Sequence, residues 1–146
     1  MNFTENKIFI DTWGWLTLRD KSEKKHHEVT GFIRKCLSRN ILIYTTDYIL
    51  DETFTLLFKR LSFSKAENSF DLIRNAMDKG EFQLEWITPE RFYQTCEFRQ
   101  KFRDKPEISF TDLSSMVVMQ ELKIRHILTE DAHFIHVNLG FQPLCG

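Results

Sequence analysis

Short apolar runs set among longer stretches of helical spacing constrain this chain more than any other feature. The runs are Lys7-Ile8-Phe9-Ile10-Asp11, Ile41-Leu42-Ile43-Tyr44, Phe82-Gln83-Leu84-Glu85-Trp86-Ile87, His126-Ile127-Leu128-Thr129 and Phe141-Gln142-Pro143-Leu144. Each has the length of a strand. The first two are continuously apolar, as strands buried on both faces are, whereas 82–87 alternates apolar and polar residues as an edge strand does. Strands separated by helical segments pack as βαβ units, with the sheet sandwiched between helices. The expected fold class is therefore α/β, a three-layer α/β/α arrangement around a short, mostly parallel central sheet. A length of 146 residues suits one domain over 1–146.

Helix signals fill the gaps between the runs. Thr46 or Asp47 can cap a helix that carries Ile49, Leu50, Thr53, Phe54, Leu57 and Leu61, an apolar stripe at helical spacing, and capping is the expected role of Asp47. Residues 12–38 read as two helical pieces, with Ser22 as candidate cap of the second and Gly31 a weak point inside it. Residues 64–78 form a further helix, stopped at Lys79-Gly80. Thr88-Pro89-Glu90 is a cap with proline at the first helical position, opening a helix toward Arg103. Ser109 opens another through a Ser-x-x-Asp start. No glycine-rich turn follows the first strand, which excludes a dinucleotide fingerprint and a phosphate-binding loop.

Charge narrows the function classes. Twenty Lys and Arg against 21 Asp and Glu leave a formal charge of −1, so no global basic field draws the chain to nucleic acid. Any such contact has to be local, and the candidate basic clusters are Lys21, Lys24 and Lys25; Arg34, Lys35 and Arg39; and Arg99, Lys101, Arg103 and Lys105. Solvated helix faces are the competing reading of each. Cys36, Cys96 and Cys145 are odd in number and widely spaced, which suits free thiols in a reducing compartment. With no apolar leader and no run of membrane-span length, the expectation is a cytoplasmic protein without membrane contact.

Four acidic positions sit where strands end or the following helices begin: Asp11, Glu52, Asp112 and Asp131. In an open parallel sheet the strand ends gather along one edge, so carboxylates distant in sequence can meet in one cleft. Clustered carboxylates suit a hard divalent cation, and such ions serve phosphodiester hydrolysis by activating water and neutralising phosphoryl charge. Asp11, Asp112 and Asp131 also have a plainer reading as helix-cap, helix-start or turn residues. Helical spacing does not choose between Asp51 and Glu52, which flank opposite sides of one apolar stripe. Glu130 reads as solvated. Thr12, Ser109, Thr111 and Thr129 offer hydroxyls for orienting ligands or for capping. His133 and His136, or His26 and His27, lack partners for a zinc site, and no nucleophile elbow is present.

In order, Ile-Asp-Thr, then Thr-Thr-Asp-Tyr-x-x-x-Glu-Thr, Ser-Phe-Thr-Asp and Thr-x-Asp-x-x-Phe, with gaps of 41, 60 and 19 residues between the acids, resemble the PIN-domain nucleases. The closest likeness is to the compact VapC-type toxins, and it spans the chain from Asp11 to Gly140-Phe141. The resemblance implies an endoribonuclease dependent on Mg²⁺ or Mn²⁺ and acting on single-stranded RNA. It implies Asp11, Asp112 and Asp131 as metal ligands, and it selects Glu52 as a further ligand or positioner of water. It also implies a small antitoxin protein as partner and a homodimer. Trp13 departs from the family, which often has a small polar residue two positions after the first Asp. Trp13 and Trp15 could stack on bases, with a core or subunit contact the more frequent role. The rival expectations are a housekeeping RNA-processing nuclease without antitoxin, a non-catalytic RNA-binding scaffold of the same fold, and a DNA flap nuclease, the last disfavoured by the short chain.

Overall fold

The computed structural model describes residues 6–144; Cys145 lies outside them. The strands are β1 (Lys7–Ile10), β2 (Leu42–Thr46), β3 (Gln83–Glu85), β4 (His126–Leu128) and β5 (Gln142–Leu144). The helices are α1 (Thr12–Arg19), α2 (His26–Ser38), α3 (Asp47–Arg60), α4 (Phe63–Asp78), α5 (Pro89–Lys101), α6 (Phe110–Leu122) and a short α7 (His133–His136). All five strands join one sheet in the order β3-β2-β1-β4-β5, and every pairing in it is parallel. Helices flank the sheet to give the three-layer α/β/α arrangement expected from the alternation of runs.

Strand order explains where a site can form. From β1 the chain winds outward through β2 to β3, then returns to the other side of β1 for β4 and β5. Successive crossovers therefore leave in opposite directions beyond the carboxyl ends of β1 and β4, and a crevice opens at that switch point. The central strands supply the floor of the core: Ile8, Phe9, Ile127 and Leu128 are fully buried, and Ile10 nearly so. Met116, Val118 and Met119 of α6 and Leu57 of α3 are among the helical residues that complete it.

Gly14 sets the approach of α1 to the two central strands. A Cβ there would stand 2.8 Å from Ile10 Cγ2 and 3.1 Å from both the Leu128 side chain and the Leu128 carbonyl oxygen. Only a residue without a side chain lets the helix sit this close to the strand ends. Trp15 lies buried on the same helix, its indole N–H donating to Thr45 Oγ1 at 3.1 Å and its ring packed edge-on against Phe82. Its role is in the core.

Several local expectations are corrected. Ser22 does not cap α2: its amide and hydroxyl both donate to Asp20 Oδ1, and the helix starts only at His26, after Lys25. Gly31 leaves α2 unbroken because it faces open space on an exposed flank. Asp47 does not cap α3. Thr46 does, accepting from the Ile49 amide at 3.1 Å, while Asp47 Oδ1 accepts from the Ile87 amide at 2.8 Å and ties α3 to the end of β3. The second strand runs on to Thr46 because Thr45 and Thr46 pair with Leu84 and Glu85 of the edge strand. Helix α7 was not foreseen.

Candidate active site

Each of the four acids arrives by a different local device. Asp11 follows β1 and caps α1, with Oδ1 accepting from the Thr12 amide at 2.9 Å. Its Oδ2 accepts from the Thr129 hydroxyl at 2.8 Å, which links the ends of β1 and β4. Asp112 stands in the first turn of α6, where Ser109 Oγ accepts its amide at 3.0 Å. Asp131 follows β4; its amide donates to Thr129 Oγ1 at 3.0 Å and its Oδ1 accepts from the His133 amide at 2.8 Å. Glu52 extends from α3, one to two turns beyond the Thr46 cap.

These four line one cavity of about 320 Å³, together with Thr12, Trp13, Ser109, Thr129, Glu130, Glu23 and Arg60. It lies at the crevice that the strand order opens. The cap reading of Asp11 and the turn reading of Asp131 hold as well, since these bonds use only part of each carboxylate's acceptor capacity. Asp51, by contrast, lines an apolar groove of about 390 Å³ beside Phe54, Phe70 and Trp86. The choice between Asp51 and Glu52, which helical spacing left open, is thus made by the fold.

Electrostatics in the cavity is dominated by burial and by like charge. Asp11 is only 6% exposed, and that burial, with Asp131 and Glu52 nearby, pushes its pKa up to about 6 against the opposing pull of the Thr129 and Thr12 hydrogen bonds. Asp112 is pushed up to about 8, first by burial, then by the charges of Asp11 and Asp131 and by a hydrogen bond with the Asp131 side chain. Carboxylates that raise one another's proton affinity are poised to exchange a proton for a cation. One more buried polar atom is left over: Thr12 Oγ1 has no hydrogen-bond partner among the described residues.

His133 joins this group. Its Nδ1 lies 3.0 Å from Asp131 Oδ1 and 3.8 Å from Asp112 Oδ2, and one ligand atom from each of Asp112, Asp131 and His133 falls within 4.8 Å of the others. Sequence reasoning passed over it by testing the histidines only for zinc. The available signal was its place two residues after Asp131, just ahead of Phe134, which is fully buried against Phe141 and pins α7 to the core.

No family model matches the chain. Among proteins of known function, the 23S rRNA-specific endonuclease VapC20 of Mycobacterium tuberculosis is 26% identical over 127 residues, 87% of this chain and 91% of the relative. The crystal structure of VapC20, described as a sarcin-ricin loop cleaving toxin, superposes with a TM-score of 0.76 at 27% identity, over 92% of this chain and 96% of that one. In sequence and in fold this chain resembles the VapC-type PIN-domain toxins. The VapBC2 structure from Rickettsia felis, bound to a DNA fragment from its promoter, shares the fold at 12% identity, with a TM-score of 0.69 over 94% of this chain and 97% of that one.

The fold keeps the acidic group together and leaves other sequence candidates elsewhere. Arg99 is occupied structurally, donating to the carbonyls of Ile108, Phe102 and Lys105. Lys105 pairs with Asp104, and Lys101 lies over the rings of Phe98 and Phe102. Trp13, half-buried against the core, lines the cleft where the family often has a polar residue. Cys36 is buried, which pushes its thiol up to about 11, and neither it nor Cys96 lines the cleft.

Proposed function

We propose that the chain is a metal-dependent endoribonuclease cleaving exposed single-stranded or loop regions of RNA, and that it is the toxin of a toxin-antitoxin pair. The observation that carries this reading is the meeting of Asp11, Glu52, Asp112 and Asp131 in one cavity at the β1/β4 switch point. The likeness to VapC20, an rRNA endonuclease by name, supports the substrate class. The described residues 6–144 act in this reading as one nuclease unit.

The donor set fits a hard divalent cation, Mg²⁺ or Mn²⁺. It is rich in carboxylate oxygens, two of its acids hold protons more tightly than usual because of burial first and neighbouring carboxylates second, and a buried hydroxyl at Thr12 awaits a partner. Asp11, Asp112 and Asp131 would hold the ion, with Glu52 a further ligand or the positioner of the attacking water. A bound ion supplies charge neutralisation at the phosphoryl oxygens and lowers the pKa of water. The protein's own contribution is orientation. The Thr129 hydroxyl and Thr12 amide fix both oxygens of Asp11, the Ser109 cap fixes the start of α6 beneath Asp112, and the His133 amide fixes Asp131. The His133 ring approaches the Asp112 and Asp131 carboxylates from the α7 side.

A small antitoxin protein as partner and a homodimeric state follow from the VapC-type resemblance. A cytoplasmic setting agrees with an RNA substrate and with free cysteines. Among the described residues no helix is long and apolar enough to cross a membrane.

The test is incubation of purified protein with a mixed RNA pool, with and without Mg²⁺, and mapping of the product ends. Cleavage that needs the ion and is lost in Asp112→Asn supports the reading. RNA left intact with Mg²⁺, or cut equally well by the variant, would remove it. A growth arrest on expression that an adjoining small protein relieves separates a toxin from a housekeeping nuclease.

A further inference from the structure

An acidic cleft repels the phosphates that have to enter it, so affinity for a polyanion must come from cations placed beside it. The cleft's own lining includes Arg60, whose Nη1 stands 3.3 Å from Glu23 Oε1. Beyond this pair lies a second cavity of about 470 Å³ between the loop after α1 and the start of α4. The two cavities share a wall, because Ser22 of the second adjoins Glu23 of the first, and Leu61 of the second adjoins Arg60 of the first.

The second cavity has the opposite charge. Arg19, Lys21 and Lys65 line it with the single carboxylate of Asp20, which already accepts from the Ser22 amide and hydroxyl. Among the described residues no carboxylate forms an ion pair with Arg19, Lys21 or Lys65. Arg19 is partly buried, and its Nε donates to the buried Ser69 hydroxyl at 3.1 Å, which fixes the guanidinium in the cavity wall with other donors left over. That burial lowers its proton affinity, a cost that an anion in the cavity would offset. Asn68 and Ser64 add neutral donors beside the two lysines.

We propose that this cavity is a backbone subsite for single-stranded RNA, in which Arg19, Lys21 and Lys65 hold a phosphate flanking the one in the acidic cleft. The strand crosses the Glu23–Arg60 wall, and Arg60 exchanges Glu23 for a phosphate as it passes. The subsite rests on the ribonuclease reading above for its position relative to the cleaved bond, but its binding can be measured without cleavage.

The experiment is a fluorescence-anisotropy titration of a labelled oligouridylate with Asp11→Asn protein over a range of salt. It is repeated in that background with Lys21→Glu/Lys65→Glu and with Lys101→Glu/Arg103→Glu, which makes the same change of net charge on exposed side chains of the α5 corner. Circular dichroism confirms that each variant is folded. Expected are affinity about tenfold weaker and a log–log salt slope shallower by about 0.7, the loss of one phosphate contact on a single strand, for the first pair, with the second pair within about twofold of its parent. Equal weakening by both pairs, no weakening by the first, or no binding by the parent overturns the subsite. Failure of the ribonuclease reading shows separately, as absence of Mg²⁺-dependent cleavage by the wild-type protein.

Discussion

Two charged regions of this molecule are built on opposite principles. At the α5–α6 corner, Arg91 donates to both carboxylate oxygens of Glu121, to Glu85 and to the Trp86 carbonyl, while Arg99 donates to three further carbonyls. Both guanidinium groups there have their counterparts. In the cleft, Asp11, Asp112, Asp131 and Glu52 face one another, and Arg60 is held by Glu23. The corner holds the fold together, and the cleft holds repulsion that only something brought from outside can relieve.

The largest expected contrast is in activity. Asp11→Asn keeps volume while removing charge, and should lower the cleavage rate by about 10²- to 10³-fold, the scale of losing one preorganised electrostatic group, while leaving the metal-free melting temperature unchanged or higher. A single-turnover assay beside thermal denaturation checks both. Arg99→Ala should do the reverse. With three carbonyls losing a charged donor, it is expected to cost about 2–3 kcal/mol of stability, with cleavage per folded molecule intact, as urea titration would show. Comparable losses of activity in both variants would erase the distinction.

The pH dependence sharpens the comparison. Folding raises the proton affinity of Asp112 to about 8 and of Asp11 to about 6, above the ordinary value of 3.8. Between these values the folded state binds more protons than the unfolded one, so the stability contribution is complete below pH about 4 and is lost as pH rises toward 8. Metal-free protein should therefore lose stability across that range. Saturating Mg²⁺ should flatten the slope and add about 2.7 kcal/mol at a hundred times its dissociation constant, and Asp112→Asn should remove most of the slope. A melting temperature that is flat with pH and with Mg²⁺ would argue against mutual repulsion in the cleft. The smallest effect is expected from neighbours on one helix: Glu52→Gln slows cleavage, whereas Asp51→Asn, which faces the apolar groove, leaves it within about twofold, since surface changes away from a site cost little. The same cleavage assay separates them.

Much of this architecture was legible from local signals. The caps at Thr88 and Ser109, the proline at the first turn of α5 and the apolar runs all depend on residues close in sequence, and they appear where those residues predict. Misreadings arose where a distant partner decided. Asp47 was expected to cap α3 and instead accepts from Ile87, 40 residues away. Ser22 is the exception, a candidate cap held instead in a turn by its local partner Asp20. The basic residues 99–105 looked available to RNA, yet Arg99 is consumed by carbonyls that no local pattern reveals. His133 went unassigned because its histidine spacing was weighed only for zinc, and its approach to Asp112 joins separate elements.

The sequence by itself determined the layered α/β class and marked Asp11, Asp112 and Asp131 as acids at strand ends and helix starts, because strand and helix periodicity and residue chemistry are written over short stretches. Only the tertiary structure decided that the β1/β4 switch would bring Asp11 within 2.8 Å of Thr129, that Glu52 and not Asp51 would face the cleft, and that a basic cavity would adjoin it. The physical reason is that these relations join residues from separate elements. Strand order and the close seat of α1 at Gly14 set them, and both arise only when the whole core packs at once.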